Sequence, residues 1–338
     1  MYFGRDRARP AASARSVLLY ASTLDAGIAK GSAERRHPPR LHLVDGTYEL
    51  FRAHFSKRPE HRAPSGRTLK ATLGVVSSMF ALLRDPEERV THIAIAFDNP
   101  IRSFRNELFA GYKTEEGVPA ELLDQFDLVE DAMRAIGIVV WSMNEWEADD
   151  ALATAASRFW QEVEQVRILT PDKDLGQCLR GTRIVQVDRM RGRVIDETGL
   201  LVARGIAPAS VPDYLALVGD AADGIPGIPG FGKKTAATLL REYGRIEDVP
   251  LAAADWKPAL RGAGALAATL STNLDRAYLY RRLATLVQTV PLPESLEDLR
   301  WTEVTQARFE AWARAIGAPE SLVTIGLGLS SSRPAPDG

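Results

Sequence analysis

A chain of 338 residues, 45% hydrophobic and 25% charged, is long enough to bury one large core or two smaller ones, which excludes disorder as its main state. Its formal net charge of −2 and pI near 6.3 provide no basic footprint, so any nucleic-acid binding must come from local segregation of Lys and Arg. The single Cys178 excludes a disulfide framework and a Cys-rich zinc site, fits a reducing compartment, and reads as a small buried hydrophobe.

Residues 1–40 are rich in Ala, Ser and Arg, with Arg5, Arg7, Arg9, Arg15, Arg35, Arg36 and Arg40 against Asp6, Asp25 and Glu34, and read as a disordered basic extension. An organellar transit peptide has a similar composition, but the acids and the "RRHPPR" ending weigh against it. Nothing near Met1 has the apolar core of a secretory signal, and no apolar run approaches the roughly 18 residues of a membrane span. The expectation is a soluble intracellular protein with no membrane partner.

From Leu41 short apolar runs alternate with helical stretches: "LHLVD", a helix around 68–84, "HIAIAFD", a helix around 119–136, "GIVVW", a helix within "EADDALATAASRFW", "VRILTPDKD" and "RIVQVD". Strands separated by helices imply an α/β core with a mostly parallel sheet covered on both faces. After about Pro208 the strands stop, and helices with Gly/Pro hairpins run to about residue 318. The tail "SSSRPAPDG" reads as disordered, and no internal repeat is visible. The expected division is therefore 1–40, 41–208, 209–318 and 319–338, the last again disordered.

The stretch "NEWEADDALA" sets Glu145, Glu147, Asp149 and Asp150 side by side. Carboxylates in a first helical turn are ordinary, each stabilising the macrodipole by roughly 0.3–1 kcal/mol. Other acids share their address, however: Asp45 ends "LHLVD", Asp98 ends "IAIAFD", and Asp172 and Asp174 follow "RILT". In open parallel sheets the ligand crevice lies beyond the carboxyl ends of the strands. Glu147, Asp149 and Asp150 open the helix after "GIVVW" and so meet the same edge, while Asp220 and Asp223 of "LVGDAADGIPG" lie where the helical part begins. One Asp after a strand is usually a cap or turn residue. Two carboxylates about 4 Å apart repel by roughly 4 kcal/mol at an effective dielectric of about 20, so a converging set must protonate or hold cations. Oxygen donors without nearby His or Cys favour Mg²⁺ or Mn²⁺ over zinc, and a pair of such ions suits phosphodiester hydrolysis.

In "GIPGFGKKTAATLL", Gly227, Gly230 and Gly232 allow a tight turn whose N–H groups can approach a phosphate, with Lys233 and Lys234 adding charge. Alone, such a stretch is more often just a turn. "SFRNELFAGYK", with Arg105, Tyr112 and Lys113, reads equally well as a solvated amphipathic face.

Taken in order, "LVDGTYELFRAHF", "AFDNPIRSFRNELFAGYK", "WEADDALA", "LTPDKDLGQ" and "LVGDAADGIPGIPGFGKKTAATLL" resemble the motifs of the bacterial 5′-3′ exonuclease and flap endonuclease family, which includes the 5′-nuclease domain of DNA polymerase I. The resemblance covers about residues 41–290, and five motifs in the right order make it specific. It implies a PIN-like α/β nuclease core followed by a helical domain containing a helix-three-turn-helix. It implies two divalent ions, the first on Asp45, Asp98, Glu147 and Asp149, the second on Asp172, Asp174, Asp220 and Asp223, with Asp150 near both. The hairpin of Gly227, Gly230, Gly232, Lys233, Lys234 and Thr235 would grip the backbone of duplex DNA, with a monovalent cation such as K⁺. Lys113 first, then Arg105 and Arg102, with Tyr112 beside them, would reach the scissile phosphate from a segment that encloses the single-stranded 5′ end.

The implied protein is a stand-alone, monomeric, structure-selective nuclease of the bacterial cytoplasm. Its substrate would be DNA with a 5′ end, flap or nick, or an RNA–DNA hybrid, in replication or repair. Two departures stand out: Glu115 and Glu116 follow "YK" where many relatives carry a basic residue, and Gly224 stands where they usually show Asn. "LVDGT" is also similar to phosphatases of the haloacid dehalogenase type, but their nucleophilic Asp would fall on Leu43. A PIN-type ribonuclease would lack the glycine hairpin, and a non-catalytic binder of branched DNA would not need the complete acidic set.

Overall fold

The computed structural model describes residues 38–330. The expected basic extension, apart from residues 38–40, and the last eight residues of the expected disordered tail lie outside the described residues. The strands are β1 (Arg40–Asp45), β2 (His92–Asp98), β3 (Val139–Met143), β4 (Gln165–Leu169), β5 (Ile184–Asp188) and β6 (Arg193–Ile195). They form one sheet in the order β3-β2-β1-β4-β5-β6, parallel except for the β5–β6 pair. Alternate residues along a strand face opposite sides. Accordingly Ile93, Ile95 and Phe97 enter one core, while Ala94 and Ala96 enter the other with Leu41 and Leu43.

The first face is covered by α1 (Gly46–His54), α2 (Lys70–Arg84) and α5 (Phe126–Ala135), the second by α6 (Ala148–Phe159). The expected helix around 119–136 is broken into α4 (Ala120–Leu123) and α5. The break frees Gln125, whose buried side-chain oxygen accepts the Ala71 and Thr72 N–H groups and so caps α2. A short α3 (Arg105–Leu108) precedes them. The strand pattern left out α1, the antiparallel β6 and α7 (Glu197–Arg204).

After α8 (Val211–Val218) come α9 (Lys233–Tyr243), α10 (Ala263–Thr272) and α11 (Leu274–Ala284), which share a second core around Leu215, Leu240 and Leu283. The expected helical unit to residue 318 ends there. Leu286, Val290 and Leu292 rejoin the α6 face of the sheet, and α12 (Gln306–Ile316) packs back on the α2 and α5 side through Phe309. The tail expected to be disordered from 319 instead forms α13 (Glu320–Gly328), because Leu322 and Leu329 find an apolar seat in the first core. A Cβ at Gly326 would lie 2.2 Å from Phe309, so glycine is what permits this close approach. Among the described residues no single helix is long and apolar enough to cross a membrane.

Candidate active site

The chain runs from β1 to β2 on one side and from β4 to β5 on the other, so the crevice expected at such a switch point opens at the carboxyl ends of β1 and β4. Asp45 is both the last residue of β1 and the N-cap of α1: Tyr48 N–H donates to its Oδ1 at 2.8 Å and the Thr170 hydroxyl to its Oδ2 at 2.8 Å. Asp98, at the end of β2, accepts the Ala148 N–H on Oδ1 at 2.7 Å. Glu147 is the N-cap of α6 in a capping box with Asp150, and Ser103 donates to its Oε1 at 2.7 Å. Asp172 Oδ1 accepts the Asp174 N–H at 2.9 Å. The capping and functional readings of these acids are therefore compatible: the caps fix where the carboxylates stand.

The turn after α8 brings in the remaining acids. Asp220 and Ile225 exchange backbone hydrogen bonds of 2.8 and 2.7 Å, closing a tight loop that carries Asp223. Ligand oxygens of Asp174, Asp220 and Asp223 then lie within 4.8 Å of one another. Asp174 Oδ1 is buried and accepts no hydrogen bond.

Burial pushes Asp45 up to about 7, the Tyr48 N–H and Thr170 hydroxyl oppose the rise, and the charges of Asp98 and Asp172 add to it. Burial also raises Asp98, Asp149, Asp174 and Asp223, with neighbouring carboxylates adding to each. Glu147 is lowered: burial works against it, but Lys113 and Arg105 favour its charge. A buried oxygen without a partner, carboxylates that otherwise hold protons, and an all-oxygen donor set together fit hard divalent cations.

These shifts set a pH dependence. Asp45, Asp98, Asp149 and Asp174 bind protons more tightly folded than unfolded, so without metal their stabilisation is full below the ordinary carboxylate range and falls as pH rises, that of Asp45 being lost through about 7. Glu88 acts outside this window: burial opposes its charge, yet His42 and Arg167 hold it at about 2, so its contribution is lost only in stronger acid. Burial lowers His42 and His92, which therefore oppose the carboxylates as pH falls below about 6.5, but the raised carboxylates outnumber them. In EDTA, thermal unfolding should thus come at a lower temperature at about pH 7.5 than at about pH 5, and Mg²⁺ should raise Tm more at the higher pH. An equal Mg²⁺ response at both pH values would contradict the carboxylate site.

Arg105 and Asp150 meet each other in the structure. Arg105 is 1% exposed and donates two 2.7 Å hydrogen bonds to the two oxygens of Asp150, with others to the Leu283 and Thr285 carbonyls. Asp150 also accepts the Glu147 and Val287 N–H groups. Arg105 and Asp150 thus form a buried fork joining α3, α6 and the end of α11, and the same guanidinium lies 3.7 Å from Glu147 Oε1, at the edge of the acid crevice. Arg105→Met would strand a buried carboxylate and should cost about 3–5 kcal/mol of stability. Denaturant unfolding measures this, and a wild-type midpoint would refute the structural role.

Lys113 is where the charge argument converges. Its ammonium lies 3.1 Å from Glu147 Oε2 and 3.3 Å from Asp223 Oδ1, and its N–H donates to the Asp223 carbonyl. Burial works against its charge, but Glu147, Tyr112, Asp223 and Asp98 hold it firmly protonated. The buried Tyr112 hydroxyl donates to Glu147 Oε2 at 3.2 Å. Gly224 has φ +73°, and a Cβ there would meet the Gly111 carbonyl at 2.0 Å, so the departure from Asn lets the 111–113 segment lie against Asp223. Glu115 accepts the Ile101 N–H at 3.1 Å and so holds its own segment. Arg102 is exposed.

Gly227 and Gly230 take positive φ, at +75° and +86°, while Gly232 is the extended N-cap of α9. Lys233 and Lys234 are exposed at that helix start and Thr235 is half-buried. Replacing both lysines with Ala should weaken duplex binding alike for all sequences and flatten its salt dependence by about two phosphate contacts. An unchanged slope of affinity against salt would remove the hairpin from the interface. Thr170, Ser103 and Lys173 are site residues the sequence reading left out. Only Lys173, between two candidate ligands, had a visible signal.

A mostly parallel sheet with acids massed at its carboxyl edge, a lysine held across them and a glycine hairpin beside them define a PIN-like nuclease. The family described as 5′-3′ exonuclease, N-terminal resolvase-like domain, matches residues 40–203, and its C-terminal SAM fold matches residues 206–307. The chain belongs to the 5′-3′ exonuclease family. It is 32% identical over 210 residues to the 5′-3′ exonuclease of Aquifex aeolicus (strain VF5), covering 62% of this chain and 71% of that protein. It is 34% identical over 282 residues to DNA polymerase I of Mycobacterium leprae (strain TN), covering 82% of this chain but 30% of that protein. The chain thus spans about a third of the length of its polymerase relatives. Its fold is similar to that of the bacteriophage T5 D15 flap endonuclease in complex with DNA and metal ions, at TM-score 0.54 and 18% identity over 86% of this chain and 97% of the other.

Proposed function

We propose that this nuclease hydrolyses DNA at 5′ ends, nicks and 5′ flaps, using two divalent ions, Mg²⁺ or Mn²⁺. The observation that carries the proposal is the carboxylate crevice with Lys113 bridging Glu147 and Asp223. Asp45, Asp98, Glu147 and Asp149 would hold one ion, and Asp172, Asp174, Asp220 and Asp223 the other. When bound, such ions supply an activated water and stabilise the leaving oxygen.

The chain's own groups do the rest. Lys113 presents an ammonium to the scissile phosphate, and Tyr112 fixes Glu147 through its hydroxyl. Arg102, being exposed, is available to the 5′ strand. Lys233, Lys234, Thr235 and the glycine N–H groups position the duplex backbone without reading bases. K⁺ at the hairpin, a monomeric state, activity on RNA–DNA hybrids and a cytoplasmic role in replication or repair belong to the same proposal. Cleavage of a labelled 5′-flap duplex with Mg²⁺ and product mapping tests it: products should mark cuts near the flap junction. Failure to cut flaps, nicks and free 5′ ends alike would rule the proposal out.

A further inference from the structure

The second half of the acid crevice carries its own counter-ion. Lys173 stands between Asp172 and Asp174, and its ammonium is ion-paired with Asp220, a member of the close trio with Asp174 and Asp223. One ammonium cannot neutralise three carboxylates, and Asp174 Oδ1 remains buried without a hydrogen bond. The Lys173 main chain is pinned, its carbonyl accepting from Arg204 at 3.0 Å and from the Gly176 N–H at 3.2 Å, whereas its side chain is 37% exposed. That side chain also lines a groove of about 930 Å³ with Asp220, Arg204, Lys233, Lys234 and Arg241.

Lys173 therefore has two places for its charge. Resting on the metal reading above, we propose that Lys173 is a positioning residue: it stands in for a cation on Asp220 and, once a divalent ion takes that carboxylate, turns its ammonium to the duplex backbone in the groove. A divalent ion on Asp220 replaces attraction with repulsion for the ammonium. The groove's other cations oppose the move until a phosphate reverses their field. Metal and duplex thus strengthen each other's binding, and the coupling is reciprocal.

The test uses the full chain as wild type, Lys173→Met, Lys173→Arg and Lys233→Met, each checked for folding by thermal unfolding in EDTA. Mn²⁺ affinity is read by calorimetry, and affinity for a 5′-flap duplex is read in EDTA and in Ca²⁺. Lys173→Met should bind Mn²⁺ about two- to fivefold more tightly, the scale of one partly exposed ion pair, and lose most of the Ca²⁺-induced gain in duplex affinity. Lys173→Arg should keep both properties of the wild type. Lys233→Met should weaken duplex binding equally in EDTA and Ca²⁺ and leave Mn²⁺ binding unchanged. Wild-type Mn²⁺ affinity or a wild-type Ca²⁺ gain in Lys173→Met overturns the inference. Absence of Mn²⁺ binding by the wild type overturns the metal reading beneath it.

Discussion

Asp98→Asn, or Asp172→Asn, should abolish Mg²⁺-dependent cleavage while duplex binding in Ca²⁺ survives. Asp98 is 9% exposed at the end of β2, and its Oδ1 accepts the Ala148 N–H that starts α6. An asparagine oxygen can keep that hydrogen bond, so the helix start and the crevice walls remain. What disappears is one negative charge from a set that must bind cations to stay ionised. Asp172, an exposed residue, holds the Asp174 N–H in the same way, so its amide variant also keeps the local turn. Losing several kcal/mol of transition-state stabilisation lowers the rate on the order of 10³-fold or more. The hairpin at Lys233 lies in another element, which is why binding should persist. Turnover near the wild-type rate in both variants would end the two-metal proposal.

Lys113→Ala should lower the chemical step by roughly 10²–10³, as losing one donor to a developing oxyanion does, and affect binding far less. As the phosphate is attacked, charge builds on its oxygens, and a fixed cation in a partly dehydrated site stabilises that state more than the bound substrate. The structure shows how the cation is fixed: Lys113 is anchored by its N–H on Asp223 and flanked by Tyr112, with Glu147 and Asp223 holding the ammonium. Arg105 does not replace it, being tied to Asp150, and Glu115 and Glu116 rather than cations follow in the chain. Single-turnover cleavage and equilibrium binding of one 5′-flap duplex separate the two effects. A fall in affinity alone would make Lys113 a binding residue and withdraw the catalytic assignment.

The α/β layers, and the edge where the acids gather, could be read before any coordinates. Side chains alternate along a strand, so runs such as "HIAIAFD" declare a strand buried on both faces, and an acid at the end of such a run has a known address. Helix caps are equally local, which is why Glu147 and Asp150 were legible as a helix start. Their separate fates were not. Asp150 is paired with Arg105, 45 positions away, in a buried fork that no local pattern shows. The same holds for Lys173 on Asp220 and for Asp174 beside Asp223.

Each group's chemistry, and the element that carries it, follow from the order of residues alone, because periodicity and capping act over a few residues. Tertiary structure alone decided which charges face each other, why Gly224 is needed, and that α12 and α13 return to the first core. Those outcomes depend on contacts between distant segments, and the free energy of a charge in a protein is set by the partner it meets and the water it loses, neither of which is local in the chain.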